Sequence, residues 1–394
     1  MRILYLKWDS YGGKYVEKAL HDNGHELIIF DFPRSTEDTR KSEALASKLA
    51  NEIILKKAEA VFSLNYYPVA AIAASACRIK YISWTYDSPY IQLYSKTIDY
   101  PTNYAFVFDK GEYLNMRKKG IERVFYLPMA APVEYFDEIK LSDEMHKKYD
   151  ADIAMVGSMY TEKKHNLERH FDGLDKYTLG YLEGLIAAQS NLYGASILES
   201  GLNEEIIKNI QKVCPIYANG DGYEDAGWTI ANYFLARMLT KRERTDFIDA
   251  LSDKYTVALY THEPTLNLKA DNRGSIDYYK EFPLATKCAK INLNITLRSI
   301  ISGIPLRAID IMGCGGFLLT NYQADFEDFF IAGEDYVFYE SKDDMIDKAG
   351  YYLEHADERE KIAASGYEKV KKYHSYDNRI KQMFSIINND EILS

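Results

Sequence analysis

Residues 290–320 read KINLNITLRSIISGIPLRAIDIMGCGGFLLT, and this stretch holds the most informative pattern in the chain. Its first part, Lys290–Thr296, predicts a β-strand that runs into a polar loop. Pro305 predicts a helix start, because proline suits the first helical position. A glycine-rich turn then leads into a second predicted strand, Gly316–Thr320. The stretch therefore predicts a β–loop–α–β unit of a parallel α/β sheet.

Two side chains in the predicted helix, Arg307 and Asp310, suggest a binding site. The first turn of a helix has free backbone N–H groups that attract phosphate, and an arginine there can hold a diphosphate through charge-assisted hydrogen bonds. A carboxylate one turn further on can accept hydrogen bonds from the hydroxyls of a ribose. The alternative is an i,i+3 surface ion pair between the two side chains. The spacing alone favours neither interpretation.

Outside this stretch, the N-terminal third alternates short apolar runs with polar helical runs. The strands predicted there are Arg2–Trp8, Glu26–Phe32, Ala60–Leu64, Tyr81–Trp84, Tyr104–Phe108 and Val124–Leu127. Lys14–Asn23 and Ser42–Lys57 are predicted helices, and Gly24 is predicted to end the first of them. Alternation of strands and helices indicates βαβ crossovers and hence a parallel sheet.

A second strand–helix series begins after a charged stretch that ends at Asp150. Its further strands are predicted at Asp152–Gly157, Thr256–Thr261 and Tyr336–Tyr339. We therefore predict an α/β fold of two Rossmann-like domains that face a central cleft. The domains are residues 1–150 and residues 151–374, the latter with a helical insertion over about 162–251. The C-terminal helices, about 375–394, are predicted to pack back on the first domain.

The composition excludes several classes of protein. The chain has 394 residues, more than a single core usually organises, and a formal net charge of -11, which argues against sequence-independent nucleic-acid binding. No apolar run approaches the ~18 residues of a membrane helix, and the N-terminus has no secretory h-region. The four scattered cysteines fit a reducing compartment. We expect a cytoplasmic protein with no nucleic-acid partner and no membrane span.

Common cofactor and metal motifs are missing from the sequence. The closest approach to GxGxxG, Gly313-Cys314-Gly315-Gly316, precedes a predicted strand, whereas dinucleotide-binding loops follow one. The sequence Asp150-Ala151-Asp152 opens a predicted strand, whereas a metal-holding D-x-D closes one. No HExxH motif occurs. We therefore expect no cofactor and no metal.

The segment around Arg307 resembles the C-terminal half of the CgeB-like (spore maturation protein) glycosyltransferases. The residues that match the family pattern are Asn292, Asn294, Arg307, Asp310, Gly313, Cys314 and Gly315, followed by Thr320-Asn321 and the tail from His355 to Met383. The domain that usually precedes this half is similar at Trp84–Pro89, Val107–Lys110 and Tyr126–Pro128, and Asp152–Tyr160 resembles the entry to the donor domain. The resemblance covers both ends of the chain but is thin from Glu162 to Lys254.

This resemblance implies a GT-B glycosyltransferase that moves a sugar from a nucleotide-diphosphate sugar, with UDP as the expected nucleotide, to a protein or glycan. The expected donor-binding residues are Gly157, Ser158, Asn294, Thr296, Arg298, Ser299, Gly303, Arg307 and Asp310. Many retaining GT-B enzymes carry two glutamates separated by seven residues. Here Ser302 and Asp310 occupy those places, which leaves the stereochemistry open.

The N-terminal domain of such enzymes usually binds the acceptor. Its expected acceptor-side residues are Asp9, Tyr11, Gly12, Gly13 and Tyr86, with Asp87 as the candidate general base. For Asp87 the alternative is a local turn with Ser88 before Pro89. Two alternatives to a transferase stay open: a nucleotide-sugar epimerase or hydrolase on the same scaffold, and a non-catalytic carbohydrate-binding protein of surface or spore assembly.

Overall fold

The computed structural model describes residues 1–161, 167–263 and 268–393. These residues form two compact units. Unit 1 contains Met1–Pro132, Asn219–Glu224 and Tyr373–Ser394, and unit 2 contains Val133–Ala218 and Asp225–Lys372. The predicted insertion begins at residue 162, and residues 162–166 lie outside the described residues.

Strands and helices alternate along most of the described chain. In chain order, the strands are β1 Arg2–Lys7, β2 Glu26–Asp31, β3 Ala60–Leu64, β4 Lys80–Thr85, β5 Asn103–Val107, β6 Val124–Tyr126, β7 Ala151–Val156, β8 Val257–Tyr260, β9 Asp271–Asn272, β10 Ala289–Asn294, β11 Leu318–Asn321 and β12 Val337–Tyr339.

The helices are numbered in the same way. In chain order, they are α1 Gly13–Asp22, α2 Glu43–Lys56, α3 Pro68–Ala76, α4 Lys110–Lys118, α5 Val133–Glu138, α6 Asp143–Tyr149, α7 Lys176–Ser190, α8 Glu204–Val213, α9 Ala226–Thr229, α10 Ala236–Ser252, α11 Phe282–Cys288, α12 Leu306–Gly313, α13 Lys342–Glu354, α14 Ala356–Tyr373 and α15 Tyr376–Leu393.

Each unit is built on one parallel six-stranded sheet. The strand order is β2-β1-β3-β4-β5-β6 in unit 1 and β12-β11-β10-β7-β8-β9 in unit 2. The strands predicted from the sequence are confirmed, with small shifts at their ends. The two-residue strand β9 was not predicted, because it is too short to show a period of two. The fold is therefore α/β, with two Rossmann-like sheets.

Local sequence explains where α2 begins and where α1 ends. Ser42 is the N-cap of α2, and its side chain accepts a hydrogen bond from the Leu45 N–H. Gly24 follows α1 with a φ of 82°, as predicted for a glycine that ends a helix. The helix start predicted at Pro305 is confirmed to within one residue: Pro305 is the N-cap of α12, with extended backbone, and the helix begins at Leu306.

The core of unit 2 lies on both faces of its sheet because side chains alternate along each strand. In β7, Ile153 and Met155 belong to a large cluster that includes Phe247 of α10. Ala154 belongs to a second cluster, which includes Ala285 of α11. The helices α7, α8 and α10 share a third, separate cluster. This helical part of unit 2 thus has a hydrophobic core of its own.

In unit 1, the C-terminal helix α15 packs on α1. The Phe384 ring stacks on His25 with the ring centroids 4.2 Å apart, and the Asn23 amide donates to the Asp377 carboxylate over 2.9 Å. The buried Arg379 guanidinium donates to the carbonyl oxygen of Met129. The last helix is therefore tied into the same unit as the first strand.

Two helical glycines should respond oppositely to alanine. A Cβ at Gly366 in α14 would overlap the carbonyl oxygen of Asp335, whereas a Cβ at Gly180 in α7 would meet open space. We expect Gly366→Ala to lower the free energy of unfolding by about 1–3 kcal/mol through overpacking. Gly180→Ala should raise it by up to about 1 kcal/mol through helix propensity. Thermal unfolding of both variants checks the pair, and equal shifts would contradict this packing of α14.

Candidate functional site

The strand order of unit 2 places a topological switch point between β7 and β10. β7 is the first strand of its sheet, and the chain extends from it to one side through β8 and β9 and to the other side through β10, β11 and β12. In open α/β sheets, ligands bind beyond the carboxyl ends of the two strands at this point. Here those ends are followed by Gly157 after β7 and by Ile295 after β10.

Arg307 lies at this switch point. Its guanidinium donates to the Asn294 side-chain oxygen over 3.1 Å, and Asn294 is the last residue of β10. A Cβ on Gly157 would lie only 2.6 Å from Arg307 Nη2, so the guanidinium packs against the bare backbone of that glycine. Gly157 also has a φ of 150°, which disfavours other residues. The structure thus brings three predicted donor-binding residues together: Gly157, Asn294 and Arg307.

Asn294 is held in turn by its neighbours. Its amide nitrogen donates to the hydroxyl oxygens of Thr296 and Thr320, each over 2.9 Å. Both donors of the amide are therefore used, so the amide oxygen must face Arg307. The Thr296 N–H donates to the Asn321 side chain over 2.8 Å. This network fixes the residues that follow β10 and β11.

A second arginine, Arg244 of α10, lies beside Arg307. Its guanidinium is buried and donates to the carbonyl oxygens of Ser158 and Ile295, the loops that follow β7 and β10. Burial of the Arg307 side chain lowers its pKa to about 10, and the positive charge of Arg244 adds to this shift. Within the described ranges, neither arginine forms an ion pair with a carboxylate. Two adjacent cations without a paired anion are typical of a site for an anionic ligand.

The loop after β7 is organised by a buried carboxylate, Glu263. It accepts hydrogen bonds from the Ser158 hydroxyl over 2.7 Å, the Met159 N–H over 2.8 Å and the Thr161 N–H over 2.6 Å. The Tyr160 ring lies over Arg244, with the guanidinium carbon 5.0 Å from its centroid. Ser158, a predicted donor-binding residue, therefore lies in a loop with a fixed shape.

Asp310 lies one turn after Arg307 and is almost fully buried, with 1% of its surface exposed. One carboxylate oxygen accepts a hydrogen bond from the Tyr278 hydroxyl over 2.8 Å, and the other is buried with no hydrogen-bond partner among the described residues. Burial raises the pKa of Asp310 well above its ordinary value, and Tyr278 and Arg307 offset this only in part. The surface-pair interpretation is therefore wrong, because Asp310 is not at the surface.

Arg298 occupies a different environment from Arg307. Its guanidinium donates to both carboxylate oxygens of Glu243 and to the carbonyl oxygens of Ser190 and Leu192. Both charged side chains are 7% exposed, and Tyr193 covers the guanidinium at 3.8 Å from the ring centroid. The positive charge of Arg298 is thus compensated within unit 2, and the arginine joins the end of α7 to the loop before α12.

Two other predicted donor-binding residues, Ser299 and Gly303, lie in the loop between β10 and α12. The Gly303 carbonyl oxygen accepts a hydrogen bond from the Gln323 side chain over 3.0 Å, and Ser299 is buried. Asp152, in the D-x-D sequence, lies at the start of β7 and binds Thr256 and Lys290. It is therefore at the end of the strand opposite to Gly157, as the sequence predicted.

Unit 1 has a polar cluster at the carboxyl ends of β1, β3 and β4. The buried Asn65, which follows β3, donates from its side chain to the Asp87 carboxylate over 2.9 Å and accepts from the Tyr86 N–H over 2.9 Å. The Arg34 guanidinium lies 3.9 Å from Asp87 and covers the Trp8 ring. Asp87 is thus oriented by tertiary contacts, with 56% of its side chain exposed to solvent.

Ser88, the partner of Asp87 in the alternative local turn, makes a contact outside this segment. The Ser88 hydroxyl donates over 3.0 Å to the buried Asp109, the N-cap of α4. The loop after β1 ends at Gly12, the N-cap of α1, whose φ is 76°. A Cβ on Gly12 would overlap the Tyr376 hydroxyl, while Asp9 and Tyr11 of the same loop are exposed.

Three site residues escaped prediction from the sequence: Arg244, Glu263 and Asn65. Arg244 lies in a long charged helix, where an arginine is usually solvated, and Glu263 follows β8 with no neighbouring motif. Asn65 gives a weak signal, since asparagine after a buried strand often adopts a left-handed backbone, and its φ is 62°. Only the three-dimensional contacts reveal what these side chains hold.

A family model described as glycosyl transferase-like matches residues 242–385, which include Arg244, Arg307 and Asp310. No curated protein matches the chain. Within the described ranges, no helix is both long enough and apolar enough to cross a membrane.

Several solved structures share the fold over nearly the whole chain. A glycosyltransferase from Rickettsia africae ESF-5 is 12% identical, covers 98% of this chain and 97% of its own, and has a TM-score of 0.55. Anabaena Alr3699/HepE in complex with UDP-glucose is 9% identical over 99% and 100% of the chains, with a TM-score of 0.56. A sucrose-phosphate synthase from Thermosynechococcus elongatus is 11% identical over 100% of both chains, with a TM-score of 0.53. The fold is that of the GT-B glycosyltransferases.

The raised pKa of Asp310 gives a test of its burial. At pH values above 3.8, the ordinary pKa of an aspartate, Asp310 keeps a proton in the folded protein that it has lost in the unfolded chain. The contribution of Asp310 to stability therefore falls as the pH rises. Asp310→Asn keeps the shape and the Tyr278 contact but cannot ionise. We expect the variant to gain stability relative to the wild type by up to about 1.4 kcal/mol per pH unit above about pH 4. Urea unfolding at several pH values checks this, and a difference that does not change with pH would contradict it.

Proposed function

We propose that this protein is a glycosyltransferase that moves a sugar from a nucleotide-diphosphate sugar to an acceptor hydroxyl. The observation that carries the proposal is the uncompensated positive charge of Arg307 beyond β7 and β10, inside the region that matches the glycosyl transferase-like family. We also propose that the chain belongs to the CgeB-like group and acts in the cytoplasm.

The diphosphate of the donor is assigned to Arg307. Asn294 aims the guanidinium, and the absence of a side chain at Gly157 leaves room for it. The first N–H groups of α12 lack an intrahelical acceptor and add a positive dipole end. Arg244 contributes a second positive charge while its own hydrogen bonds hold the two loops. Arg298 is excluded from this role because Glu243 compensates its charge.

We assign the stabilisation of the leaving group to these donors. The acceptor oxygen forms a bond to the anomeric carbon, the bond from that carbon to the diphosphate breaks, and the nucleoside diphosphate leaves with the electron pair. The charge that develops on the diphosphate is met by Arg307 and the helix N-terminus, the kind of preorganised donors that lower such barriers. We therefore propose that transfer does not need a metal ion.

The ribose is assigned to Asp310. Its second carboxylate oxygen is buried and has no donor among the described residues, and such an orphaned acceptor costs about 1–3 kcal/mol. A ribose hydroxyl would supply the missing donor. UDP is the proposed nucleotide, in keeping with the UDP and UDP-glucose complexes of Anabaena Alr3699/HepE. The proposed acceptor is a protein or a glycan.

The acceptor hydroxyl loses its proton to a base, and Asp87 is the proposed residue. It is exposed, and Asn65 fixes the orientation of its carboxylate. Carboxylates oriented in this way serve as general bases when they reach the hydroxyl directly. Tyr86, which precedes Asp87, and the loop Asp9–Gly13 are the proposed acceptor-side elements.

Calorimetry with UDP and with uridine separates the proposed roles of Arg307 and Asp310. Arg307→Ala should weaken UDP binding roughly ten- to a hundredfold, because a hydrogen bond to a charged group contributes about 1.5–3 kcal/mol. It should hardly affect uridine, which has no phosphate. Asp310→Asn should weaken both ligands, because both contain ribose. Arg169→Ala, which removes an exposed arginine of the same unit, is the control and should change neither.

Two results would contradict these assignments. If both variants lose UDP and uridine equally, the separate roles are wrong and the helix is the common cause. If neither variant loses either ligand, the donor site lies elsewhere. Circular dichroism of each variant distinguishes the first result from unfolding of the whole unit.

Asp87→Asn tests the general base. We expect kcat to fall by about 10² or more while the Kd for UDP stays the same, since the base acts on the acceptor and not on the donor. Asp31→Asn is a matched control, because Asp31 is an exposed aspartate at the carboxyl end of β2, at the edge of the same sheet. A near-normal kcat for Asp87→Asn would remove Asp87 from the mechanism and leave the donor assignments untouched.

A further inference from the structure

Unit 2 contains a cavity of about 440 Å³ that the proposed donor site does not use. We call it the insertion cavity. Its lining residues come from α7, α10, the tyrosine after α7 and the start of α13. Binding pockets for small molecules usually have volumes of about 300–1,000 Å³. The cavity is therefore large enough to hold a ligand.

The floor of the insertion cavity is apolar and aromatic. Ile186 of α7 and Leu239 and Phe247 of α10 are buried side chains that line it, and the half-buried Tyr193 lies beside them. Phe247 and Tyr193 each meet the Tyr339 ring edge to face, so the aromatic part of the floor is rigid. Such a surface suits the C–H face of a sugar ring better than it suits a fully solvated ion.

The rim of the cavity is polar and its charges are paired. Arg242 pairs with Glu183 over 2.6 Å, and Lys342 pairs with Asp246 over 3.0 Å. The carboxylate of Glu243 forms an ion pair with Arg298.

The remaining charge on the cavity wall is negative. Glu340 also lines the cavity, and no carboxylate-to-cation pair of Glu340 occurs within the described ranges. The lining therefore has no spare cation, in contrast to Arg307, and it disfavours phosphates and sugar acids. Carboxylates, the Asn191 amide and the Ser341 hydroxyl are instead suited to hydrogen bonds with hydroxyl groups.

We propose that the insertion cavity binds a neutral saccharide. The face of a pyranose ring packs on the apolar floor, and the hydroxyl groups of the sugar donate hydrogen bonds to the rim. The site is separate from the donor site, because its lining includes neither Arg307 nor Asp310. It does not depend on catalysis, so its test does not require a donor sugar.

Two neighbouring alanines of α7 provide a matched pair of variants. Ala187 lines the cavity and Ala188 does not, and both side chains are exposed on the same helix. Ala187→Trp should fill the cavity, whereas Ala188→Trp adds the same bulk outside it. The probes are maltose, cellobiose, lactose and N,N′-diacetylchitobiose, each titrated into the full-length protein and followed by saturation-transfer NMR.

We expect at least one of the four disaccharides to bind the wild type and Ala188→Trp with Kd values within about twofold, and Ala187→Trp to bind it at least about tenfold more weakly. Saturating UDP should not displace the saccharide. The UDP affinity of Ala187→Trp should match the wild type, which shows that the variant is folded. The proposal is overturned if none of the four binds, if Ala187→Trp binds as well as Ala188→Trp, or if UDP competes. The first two results leave the role of Arg307 untouched, whereas competition by UDP would also count against the donor site at Arg307.

Discussion

The contact between the Arg307 guanidinium and the bare backbone of Gly157 is the constraint on which the rest of the site depends. A side chain at position 157 would occupy the place of the guanidinium, and Asn294 fixes its direction. Because the cation is half-buried and no described carboxylate pairs with it, burial lowers its pKa, and it is held in a costly position. An anionic ligand removes that cost, which is why a phosphate site is the natural interpretation.

The surrounding residues keep this cation in place by fixing the loops on either side of it. Arg244 binds the carbonyl oxygens that follow β7 and β10, and Glu263 gathers the N–H groups of the loop after β7. Arg298 and Glu243 then join that region to α7 through a pair that is buried on both sides. Each of these contacts uses a buried charge, and such charges are retained only where their hydrogen bonds are satisfied. The site is therefore organised before any ligand binds.

Much of the fold could be predicted from the sequence, because the apolar runs of β1 to β8 and β10 to β12 have clear boundaries. The positions of Gly157, Asn294 and Arg307 at the carboxyl end of the sheet could be predicted too, since each stands at the end of a strand or the start of a helix. The partner of Arg298 could not, because Glu243 lies 55 positions earlier in the chain. Asp310 could be named but its hydrogen-bond partner could not, since Tyr278 lies 32 positions away. Long-range polar contacts leave no local pattern.

A crystal structure of the protein with UDP tests the central claim most directly. The account predicts that the diphosphate lies beyond β7 and β10, within hydrogen-bonding distance of Arg307 and beside Gly157, with the ribose at Asp310. The opposite result would be UDP bound elsewhere in the chain, for example in the insertion cavity, with Arg307 still bonded only to Asn294. That outcome would contradict the assignment of the donor site to the switch point of unit 2.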